Sequence, residues 1–525
     1  MSQAIAEEAA ARAPAGTGGR APRASVACRP SLRATRSLWL RGLGACFFAA
    51  FVSFAVQVEG LIGSHGILPA QEFLDRVAAY YGDEAHWLLP SVFWLSGAGD
   101  LALKGVCAGG AAAAGLLFAG FAAAPALALC VVLYGSLCAV GQTFLGFQWD
   151  ALLCEAGVVG FAVAPWRPLR LAAAPEPARL GIWLARLLLF KLMFLSGVAK
   201  LASGDPAWRD GSALAVHYMT TCLPTWVGWL AHQLPDPVQR LSTWSALAIE
   251  LALPFAIFVG RRGRLLAFAG FALLQVAIAA TGNYGFFNLL TLCLCVSLLD
   301  DVWLDRAARF ARAGRAWPAA AWRRRAPRPS ARALAGFAAL LLLPASAAQV
   351  ASATLGPRVV PGALREWALW AAQLRIANSY GLFATMTKRR PEISVEGSED
   401  GRSWHPYVFR YKPGDPARRP SFVLLHMPRL DWQMWFAALS SPRAQPWFGA
   451  FVERLAEASP PVLALLAHDP FGGAPPRFVR ARLDDYRFST LAQWRATGRW
   501  WVTRPIGPYY GPVARPSQAT DTAPH

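Results

Sequence analysis

The chain has 525 residues, of which 55% are hydrophobic and only 16% are charged, and its mean hydropathy is +0.33. Soluble domains carry about 25% charged residues, so the composition excludes a wholly soluble protein. The net charge of +20 could indicate a nucleic-acid partner. However, the arginines lie in short connections between apolar segments, which is the pattern of a topology signal. We therefore predict a multi-pass membrane protein that binds no nucleic acid.

The N-terminal two thirds of the chain predict a helical membrane domain. Residues 1–37 are rich in alanine, arginine, proline and glycine and predict a disordered basic tail. Residues 38–355 follow as the transmembrane domain, since a bilayer crossing needs about 20 apolar residues and segments near that length recur here. We expect about nine spans. Three fall within residues 106–164, and the other six are residues 38–58, 182–201, 241–259, 265–280, 286–299 and 333–352.

The arginines also predict the side of the membrane that each connection occupies. With the N-terminus inside, the outward connections hold only Arg76, Arg209 and Arg240, and the inward connections hold the arginine-rich segments. An odd number of spans then places the C-terminal domain outside the cytoplasm. The connection of residues 208–235 and the polar turn at Thr281 lie on that same side.

Residues 361–512 predict a soluble, strand-rich α+β domain, and residues 513–525 predict a disordered tail. Asp400 and Gly401 supply a tight turn between two strands. The predicted strands are residues 380–387, 392–396, 404–410, 421–426, 478–486 and 500–503, and the predicted helices are residues 431–439 and 444–458. No cysteine follows Cys295, so we expect this domain to fold without disulfides.

The start of the fourth span carries four candidate site residues, Gln148, Trp149, Asp150 and Glu155. Polar groups in a span are costly unless they face a bundle interior or a cavity. Asp150 and Glu155 are therefore candidates for catalysis, and Gln148 and Trp149 for binding. Asp150 has a second interpretation, because an acid at a helix N-terminus caps the helix. Glu155 lies too far into the helix for capping.

Three more charged residues lie in or near spans. Lys200 is near the outer end of its helix and is expected to extend its amine towards water. Lys191 and Glu250 are deeper, and we predict that they pair with each other. A buried pair that fixes helix register is the favoured role, with a proton relay as the alternative.

The connection of residues 208–235 is too polar to cross a bilayer and too aromatic for an idle linker, so we expect it to lie at the membrane interface. His217 and His232 are candidate catalytic residues. Their spacing does not resemble a metal site, so no metal is predicted. A further alternative is that Cys222 is a nucleophile and His217 is its base. The candidate binding residues of this connection are Tyr218, Trp226 and Gln233.

The turn of residues 281–288 supplies the last candidate binding residues, Asn283, Tyr284 and Asn288. The alternative is structural, since an Asn amide commonly bonds backbone carbonyls in such a turn. The sequence contains no P-loop, no Gly-x-Ser-x-Gly elbow and no dinucleotide fingerprint. We therefore predict no cofactor.

Taken together, these polar clusters resemble the lipase maturation factor family, over about residues 40–512. The resemblance rests on the order and spacing of short motifs, among them Gly146-Phe147-Gln148-Trp149-Asp150, His217-Tyr218, Ala231-His232-Gln233-Leu234-Pro235, Thr281-Gly282-Asn283-Tyr284 and Asn378-Ser379-Tyr380-Gly381. Three positions depart from the family pattern: Met219 stands where an acid is usual, Thr221 where Gln is usual, and Asp469 where Asn is usual.

The resemblance implies a membrane-resident assistant of protein folding. Animal members of the family lie in the endoplasmic reticulum, where they help secreted lipases reach their active form, and their C-terminal domain faces the lumen. The composition here is typical of a high-GC bacterium, so we expect a bacterial inner membrane with the C-terminal domain in the periplasm. The expected partners are a secreted client protein such as a lipase, and membrane lipid. The oligomeric state is left open.

Two hypotheses of function follow, with a transporter as a weaker third. The favoured one is a chaperone-like maturation factor without enzymatic activity. The other is an enzyme with an outward-facing polar pocket that acts on a lipid or quinone-like substrate, since the family resembles, distantly, the membrane part of vitamin K-dependent carboxylases. The enzyme hypothesis requires the candidate side chains to converge on a common point.

Overall fold

The computed structural model describes residues 30–167, 170–311 and 326–515. Most of the two predicted disordered tails, namely residues 1–29 and 516–525, lies outside the described residues. The first helix begins at Arg33, inside the segment that was predicted to be disordered, and the last strand ends at Ala514. Both folded regions therefore extend a few residues beyond the boundaries expected from composition.

The helical part of the chain contains both long and short helices. In chain order they are α1 (Arg33–Ala55), α2 (Val58–Ile62), α3 (Ala70–Tyr81), α4 (Ala85–Leu88), α5 (Phe93–Ser96), α6 (Asp100–Ala119), α7 (Ala123–Val140), α8 (Gln148–Phe161), α9 (Arg179–Ala202), α10 (Pro206–Asp210), α11 (Ala213–Thr220), α12 (Trp226–His232), α13 (Asp236–Leu251), α14 (Gly260–Thr281), α15 (Phe287–Cys295), α16 (Asp301–Ala311), α17 (Pro329–Leu355) and α18 (Gly362–Gln373).

The described residues hold seven helices that are long and apolar enough to cross a membrane, or eight if the bent pair Phe287–Leu298 and Asp301–Ala307 forms one span. This number is roughly consistent with the prediction of about nine spans. Each predicted span does contain a helix, but α8 has only 14 residues. An apolar helix of that length more often lies inside a bundle than across a bilayer, and most of α8 is buried.

Close contact between α1 and its neighbours explains two glycines in the bundle. A Cβ atom on Gly44 of α1 would lie 2.6 Å from the backbone nitrogen of Phe118 in α6, and one on Gly110 of α6 would lie 2.3 Å from the ring of Phe51. These distances leave no room for a methyl group. The two helices therefore approach through small residues, as is common in membrane bundles.

The arginine-rich connections meet at one end of the bundle. Arg179 donates to the carbonyl of Pro30 at 3.0 Å, and Arg36 donates to that of Pro175 at 2.7 Å. The carboxylate of Asp301 accepts from the backbone N–H groups of Arg33 and Thr35, at 3.0 and 3.1 Å. It thereby satisfies donors that the start of α1 leaves open.

The C-terminal part is a small α+β domain, as predicted. Its elements are β1 (Arg390–Ser398), β2 (His405–Pro406), β3 (Val408–Phe409), α19 (Arg429–Ala438), α20 (Pro446–Ala456), α21 (Pro460–Leu463), β4 (Leu466–His468), β5 (Phe478–Phe488), α22 (Leu491–Thr497) and β6 (Trp501–Ala514). Four strands form an antiparallel sheet in the order β2-β1-β5-β6, and β3 pairs with β4. Ile393 of β1 faces Leu483 of β5.

The local sequence accounts for much of this sheet. Asp400 closes the turn after β1 by accepting from the N–H groups of Arg402 and Ser403, at 2.8 and 2.7 Å. Gly401 adopts a left-handed backbone with φ +70° in that turn. Strand β6 carries prolines at 505, 508 and 512 and lies at the edge of the sheet, where proline is tolerated.

Two segments of this domain that were predicted to be strands do not form strands in the structure. Residues 380–387 and 421–426 have irregular backbones instead. They belong to two segments that reach back into the helical bundle, which we name the first inserted segment (residues 376–386) and the second inserted segment (residues 420–433). Their backbone hydrogen bonds go to helix side chains rather than to a sheet, which explains why the strand prediction was wrong.

Candidate functional site

Asp150 lies at the centre of a buried charge cluster that joins the helices to the C-terminal domain. Arg429, in the second inserted segment, donates to both of its carboxylate oxygens, at 2.5 and 2.7 Å. The hydroxyl of Tyr134 donates to Asp150 Oδ1 at 2.6 Å. Asp150 is fully buried and Arg429 is 1% exposed. Asp150 also lies in the first turn of α8, where an acid is favoured, but among the described residues its carboxylate accepts from Arg429 and Tyr134 rather than from a backbone N–H of the helix.

Glu155, one turn further along α8, forms a second buried cluster. Its Oε1 accepts from Lys191 Nζ at 2.5 Å, and its Oε2 accepts from the hydroxyl of Tyr380 at 2.6 Å and from the backbone N–H of Asn378 at 2.7 Å. Asn378 and Tyr380 belong to the first inserted segment. Gln148 adds a third contact to the same segment, because its Oε1 accepts from the N–H of Gly381 at 3.1 Å. Both inserted segments are thus bound to α8.

The charged residues of α9 pair differently from the prediction. Lys191 pairs with Glu155, and Glu250 pairs with Lys200 at 2.7 Å. The expected pair of Lys191 and Glu250 was therefore wrong, and Lys200 is buried rather than extended to water. The sequence could not distinguish the two lysines, because both lie on one helix and the partner depends on how α8 and α13 pack around it.

Aromatic rings surround the start of α8. The indole of Trp149 stacks on the ring of Phe147, with centroids 4.6 Å apart, and meets the edge of Trp432 at 4.8 Å. Trp432 belongs to α19 of the C-terminal domain. Trp149 is 2% exposed, so it packs between the two domains and does not present a free binding surface.

The turn of residues 281–288 also holds the second inserted segment. Asn283 Nδ2 donates to the carbonyls of Leu223 and Ser421, at 3.1 and 2.8 Å, and its Oδ1 accepts from the N–H of Val423 at 2.7 Å. Asn288 makes a different bond, from its Nδ2 to Gln275 Oε1 at 2.8 Å inside the helices. The structural interpretation, an amide bonded to backbone carbonyls, therefore describes Asn283, whereas Asn288 bonds a side chain of the neighbouring helix.

The connection of residues 208–235 packs against the sheet of the C-terminal domain. Trp229 Nε1 and Gln233 Nε2 both donate to the carbonyl of Ser489, at 3.0 and 3.2 Å. The backbone N–H of Trp226 donates to the carbonyl of Pro420 at 3.1 Å. His232 lies 5.5 Å from the ring of Phe488. These residues thus join the connection to the domain.

Arg390 fixes the part of this connection where the sequence departs from the family pattern. Its guanidinium donates to the carbonyls of Met219 and Cys222, each at 2.8 Å, and to that of Thr221. Glu392 lies 2.7 Å away and balances the charge. Because Arg390 contacts Met219 and Thr221 only through their backbone oxygens, neither residue needs a particular side chain for this contact.

His217 belongs to a separate cavity of about 440 Å³ between α9, α13 and α14. Its Nε2 lies 3.2 Å from the hydroxyl of Tyr284, which in turn lies 2.8 Å from Thr221 Oγ1. Tyr218 and the ion pair of Lys200 with Glu250 also line this cavity. Burial, and then the positive charge of Lys200, lowers the pKa of His217 to about 4, so the ring is neutral at physiological pH.

Two further possibilities for this region are a metal site and a cysteine nucleophile. Among the described residues no group of three or more histidine, cysteine, aspartate or glutamate side chains is placed to hold a metal ion. Burial raises the pKa of the Cys222 thiol well above its usual range, which disfavours the thiolate that a nucleophile needs. His217 contacts Tyr284 rather than Cys222.

The structure therefore divides the predicted site residues into groups. Only His217, Tyr218 and Tyr284 line one cavity. The other candidates lie at contacts between or within domains, and they are Gln148, Trp149, Asp150, Glu155, Trp226, His232, Gln233, Asn283 and Asn288. The condition set for the enzyme hypothesis, convergence on a common point, is not met by this arrangement.

The residues that sequence reasoning missed are the partners in the C-terminal domain. Nothing in the sequence indicated that Arg429 and Arg390 contact the helical part. Both lie in a region that was expected to be soluble, and Asp150, Met219 and Cys222, which they contact, are distant in sequence. Asn378 and Tyr380 lie in a motif that carried the family resemblance, but nothing in that motif indicated a buried glutamate as their partner. Ser53 of α1 and Gln57, which precedes α2, were also missed, and both contact Met427.

These contacts define a class of molecule: a multi-pass membrane protein whose C-terminal domain is fastened to its helices by buried charges. Residues 34–306 match the family model described as the lipase maturation factor transmembrane domain, and residues 376–511 match the lipase maturation factor C-terminal domain. The chain belongs to the lipase maturation factor family. The resemblance found in the sequence is thereby confirmed.

Curated relatives cover nearly the whole chain. Human lipase maturation factor 2 is 35% identical over 92% of this chain and 83% of the relative, and the same protein of Gallus gallus is 35% identical over 92% and 82%. Human lipase maturation factor 1 is 32% identical over 91% of this chain and 88% of its own length. No solved structure matches the chain.

Proposed function

We propose that this protein is a membrane-embedded, chaperone-like maturation factor that assists the folding or assembly of secreted proteins such as lipases. The relatives' names give the client class. The observation that carries the proposal is the continuous surface formed by residues 208–235 and the C-terminal sheet. Trp229 meets Trp500 and Trp494 there, with ring centroids 4.9 and 5.7 Å apart.

Exposed apolar residues border this aromatic contact. Leu230, which follows Trp229, is 47% exposed, and Leu234 is 44% exposed. Leu491, one turn before Trp494 in α22, is 38% exposed. Exposed apolar groups on a rigid scaffold are suited to an unfolded client, because they bind apolar surface that the client has not yet buried.

The test of this function is the yield of an active secreted lipase in cells that depend on the protein. We expect Leu230→Asp and Leu491→Asp to lower that yield several-fold while the protein itself remains at normal abundance in the membrane. The matched control is Leu439→Asp, since Leu439 is also 38% exposed in the C-terminal domain but lies at the end of α19. Equal yields from all three variants would refute the proposed client surface.

The same proposal places the protein in a bacterial inner membrane, with its C-terminal domain in the periplasm. Its support is the separation of the arginine-rich connections, which bond to each other at one end of the bundle, from the inserted segments, which bind α8 and α1. A reporter fused after Arg515 that is active only in an oxidising compartment tests the sidedness. Activity of that fusion in the cytoplasm would contradict it.

The alternative, an enzyme acting on a lipid or quinone-like substrate, is favoured by no specific contact. Asp150 and Glu155, its strongest acid candidates, are both engaged in ion pairs with buried cations. A carboxylate held in this way has no free oxygen directed at a substrate. We therefore keep the maturation role as the single proposed function.

A further inference from the structure

The cavity beside His217 opens sideways through the wall of the helical bundle. Leu241 of α13 and Leu273 of α14 line it, and they are 64% and 67% exposed. Both helices are candidate membrane spans, so exposed leucines on them face acyl chains rather than water. A ligand of this cavity therefore enters from the lipid.

Two polar groups of residues that line the cavity make no hydrogen bond with the described part of the chain. Gln275 is 3% exposed, and its Oε1 accepts from Asn288, but its Nε2 donates to no described group. The hydroxyl of Tyr218, which is 9% exposed, is likewise without a partner there. These two donors are therefore available to an acceptor on a molecule that occupies the cavity.

The charges in the cavity are already balanced. Lys200 Nζ donates to both carboxylate oxygens of Glu250, at 2.8 and 2.7 Å, and to the carbonyl of Ser196 at 3.4 Å. These three bonds use all the donors of an ammonium group. The site thus offers no free positive charge to an anionic head group, and a neutral ligand fits it better than a fatty acid or a phospholipid.

We infer that this cavity binds one uncharged acyl ester of the acylglycerol type, taken from the surrounding membrane. Its ester carbonyl accepts from Gln275 Nε2 and the Tyr218 hydroxyl, and its acyl chain lies against Leu192, Met193 and Leu274. The volume of about 440 Å³ lies within the range of about 300–1,000 Å³ that is usual for small-molecule sites. The inference does not depend on the maturation role, because the groups offered to the ligand are Gln275 and Tyr218, whereas the proposed client contacts are the exposed Leu230, Leu234 and Leu491.

The test uses the full-length protein in lipid nanodiscs and a monoacylglycerol probe whose chain carries a photoactivatable diazirine. We expect saturable labelling of peptides from α13 and α14. Ala246→Phe and Ala277→Phe, which put a ring into the cavity lining, should each lower the labelling about fivefold or more. The matched control is Ala248→Phe, which adds the same ring to an exposed position of α13 outside the lining.

Two further measurements test the head group. Tyr218→Phe removes only a hydroxyl that has no partner among the described residues, and we expect it to weaken probe binding by about threefold to tenfold. Unlabelled diacylglycerol should displace the probe, whereas palmitate and phosphatidylglycerol should not. The inference is overturned if labelling is equal in the Ala246→Phe and Ala248→Phe proteins, or if the anionic lipids compete as well as the neutral one.

Discussion

Asp150 and Arg429 are 279 positions apart in the chain, yet each is the main partner of the other's charge. Taking a charge out of water costs several kcal/mol, and the cost is recovered only when a partner with good geometry is present. Here the guanidinium meets both carboxylate oxygens, and Tyr134 adds a third bond. At the scale of single residues, the contact between the two domains therefore depends on a few buried ion pairs, and removing one partner of such a pair is strongly destabilising.

The first prediction concerns this pair. Asp150→Asn leaves the Arg429 guanidinium buried without a counter-charge, so we expect a loss of about 3–5 kcal/mol of stability. The measurement is the apparent melting temperature of the purified protein in detergent. Because this loss follows from folding alone, reduced activity of Asp150→Asn would not by itself indicate an enzyme.

The control for that experiment is Asp236→Asn, which changes an exposed aspartate in the first turn of α13. We expect the free energy of unfolding of this variant to lie within about 0.5 kcal/mol of the parent's, as is usual for exposed positions, so its melting temperature should be nearly unchanged. If Asp150→Asn melts at the same temperature as Asp236→Asn, the buried pair does not stabilise the protein.

The second prediction is a loss of stability in mild acid. The pKa of His217 is lowered to about 4 from an ordinary value of 6.5, first by burial and then by Lys200. The unfolded chain takes up this proton below pH 6.5, but the folded chain does not until about pH 4. Stability from His217 is therefore complete above pH 6.5 and falls with decreasing pH, by at most about 1.4 kcal/mol per pH unit.

His217→Phe provides the comparison for the pH experiment, because it keeps a ring against Phe383, which lies 4.8 Å from the histidine ring. Melting temperatures at pH 7, 6 and 5 should decline less steeply in this variant than in the parent. His426, whose pKa burial also lowers to about 4, remains in both proteins and leaves a residual slope. Parallel declines in the two proteins would contradict the assignment to His217.

At the scale of elements, the second inserted segment shows where local sequence misleads. Residues 421–426 are apolar enough to predict a strand, but Leu424 has a left-handed backbone with φ +55°, and Asn283 occupies the hydrogen-bonding groups of Ser421 and Val423. A strand needs those groups for its neighbour. The competing partner lies in a turn between membrane helices, which no local pattern of this domain reveals.

The third prediction follows from that contact. Asn283→Ala removes three hydrogen bonds that hold Leu223, Ser421 and Val423, so we expect the second inserted segment to open more often. Hydrogen exchange of the peptide covering residues 420–427 should be faster by about tenfold, which corresponds to about 1.4 kcal/mol. Exchange in β5 should not change, because its ladder is untouched.

Asn288→Ala is the matched control for this experiment, because Asn288 bonds only Gln275 inside the helices. We expect the peptide of residues 420–427 to exchange at the parental rate in that variant. Equal acceleration in both variants would mean that the whole turn, rather than the Asn283 amide, holds the segment.

At the scale of the whole molecule, the sequence predicted the domain order, the fold class and the positions of the long helices. Each follows from a local signal, such as apolar length, arginine position or strand alternation. It did not predict the pairing of Glu155 with Lys191 or the two inserted segments. Those contacts depend on how distant helices pack, and a single sequence contains no local record of that. The short length of α8 was likewise not apparent within a continuous apolar stretch.

The fourth prediction is that the helical domain is not stable alone. A chain that ends at residue 375 lacks Arg429, Asn378 and Tyr380, which leaves Asp150 without its cation and Glu155 without three of its donors. We expect this truncated chain to elute as aggregates in size-exclusion chromatography, whereas the full chain elutes as a single species. A monodisperse truncated protein would show that the helices do not need the C-terminal domain.

The distance between Asp150 and Arg429 along the chain also sets an order for biogenesis. At about 5–20 residues per second, the ribosome needs about 14–56 s to extend the chain by the 279 positions from Asp150 to Arg429. During that interval the acid of α8 is already in the membrane region while its cation has not yet been synthesised. We therefore expect α8 to stay near the water interface until Arg429 has been made. Burial of α8 would then be one of the last steps in folding.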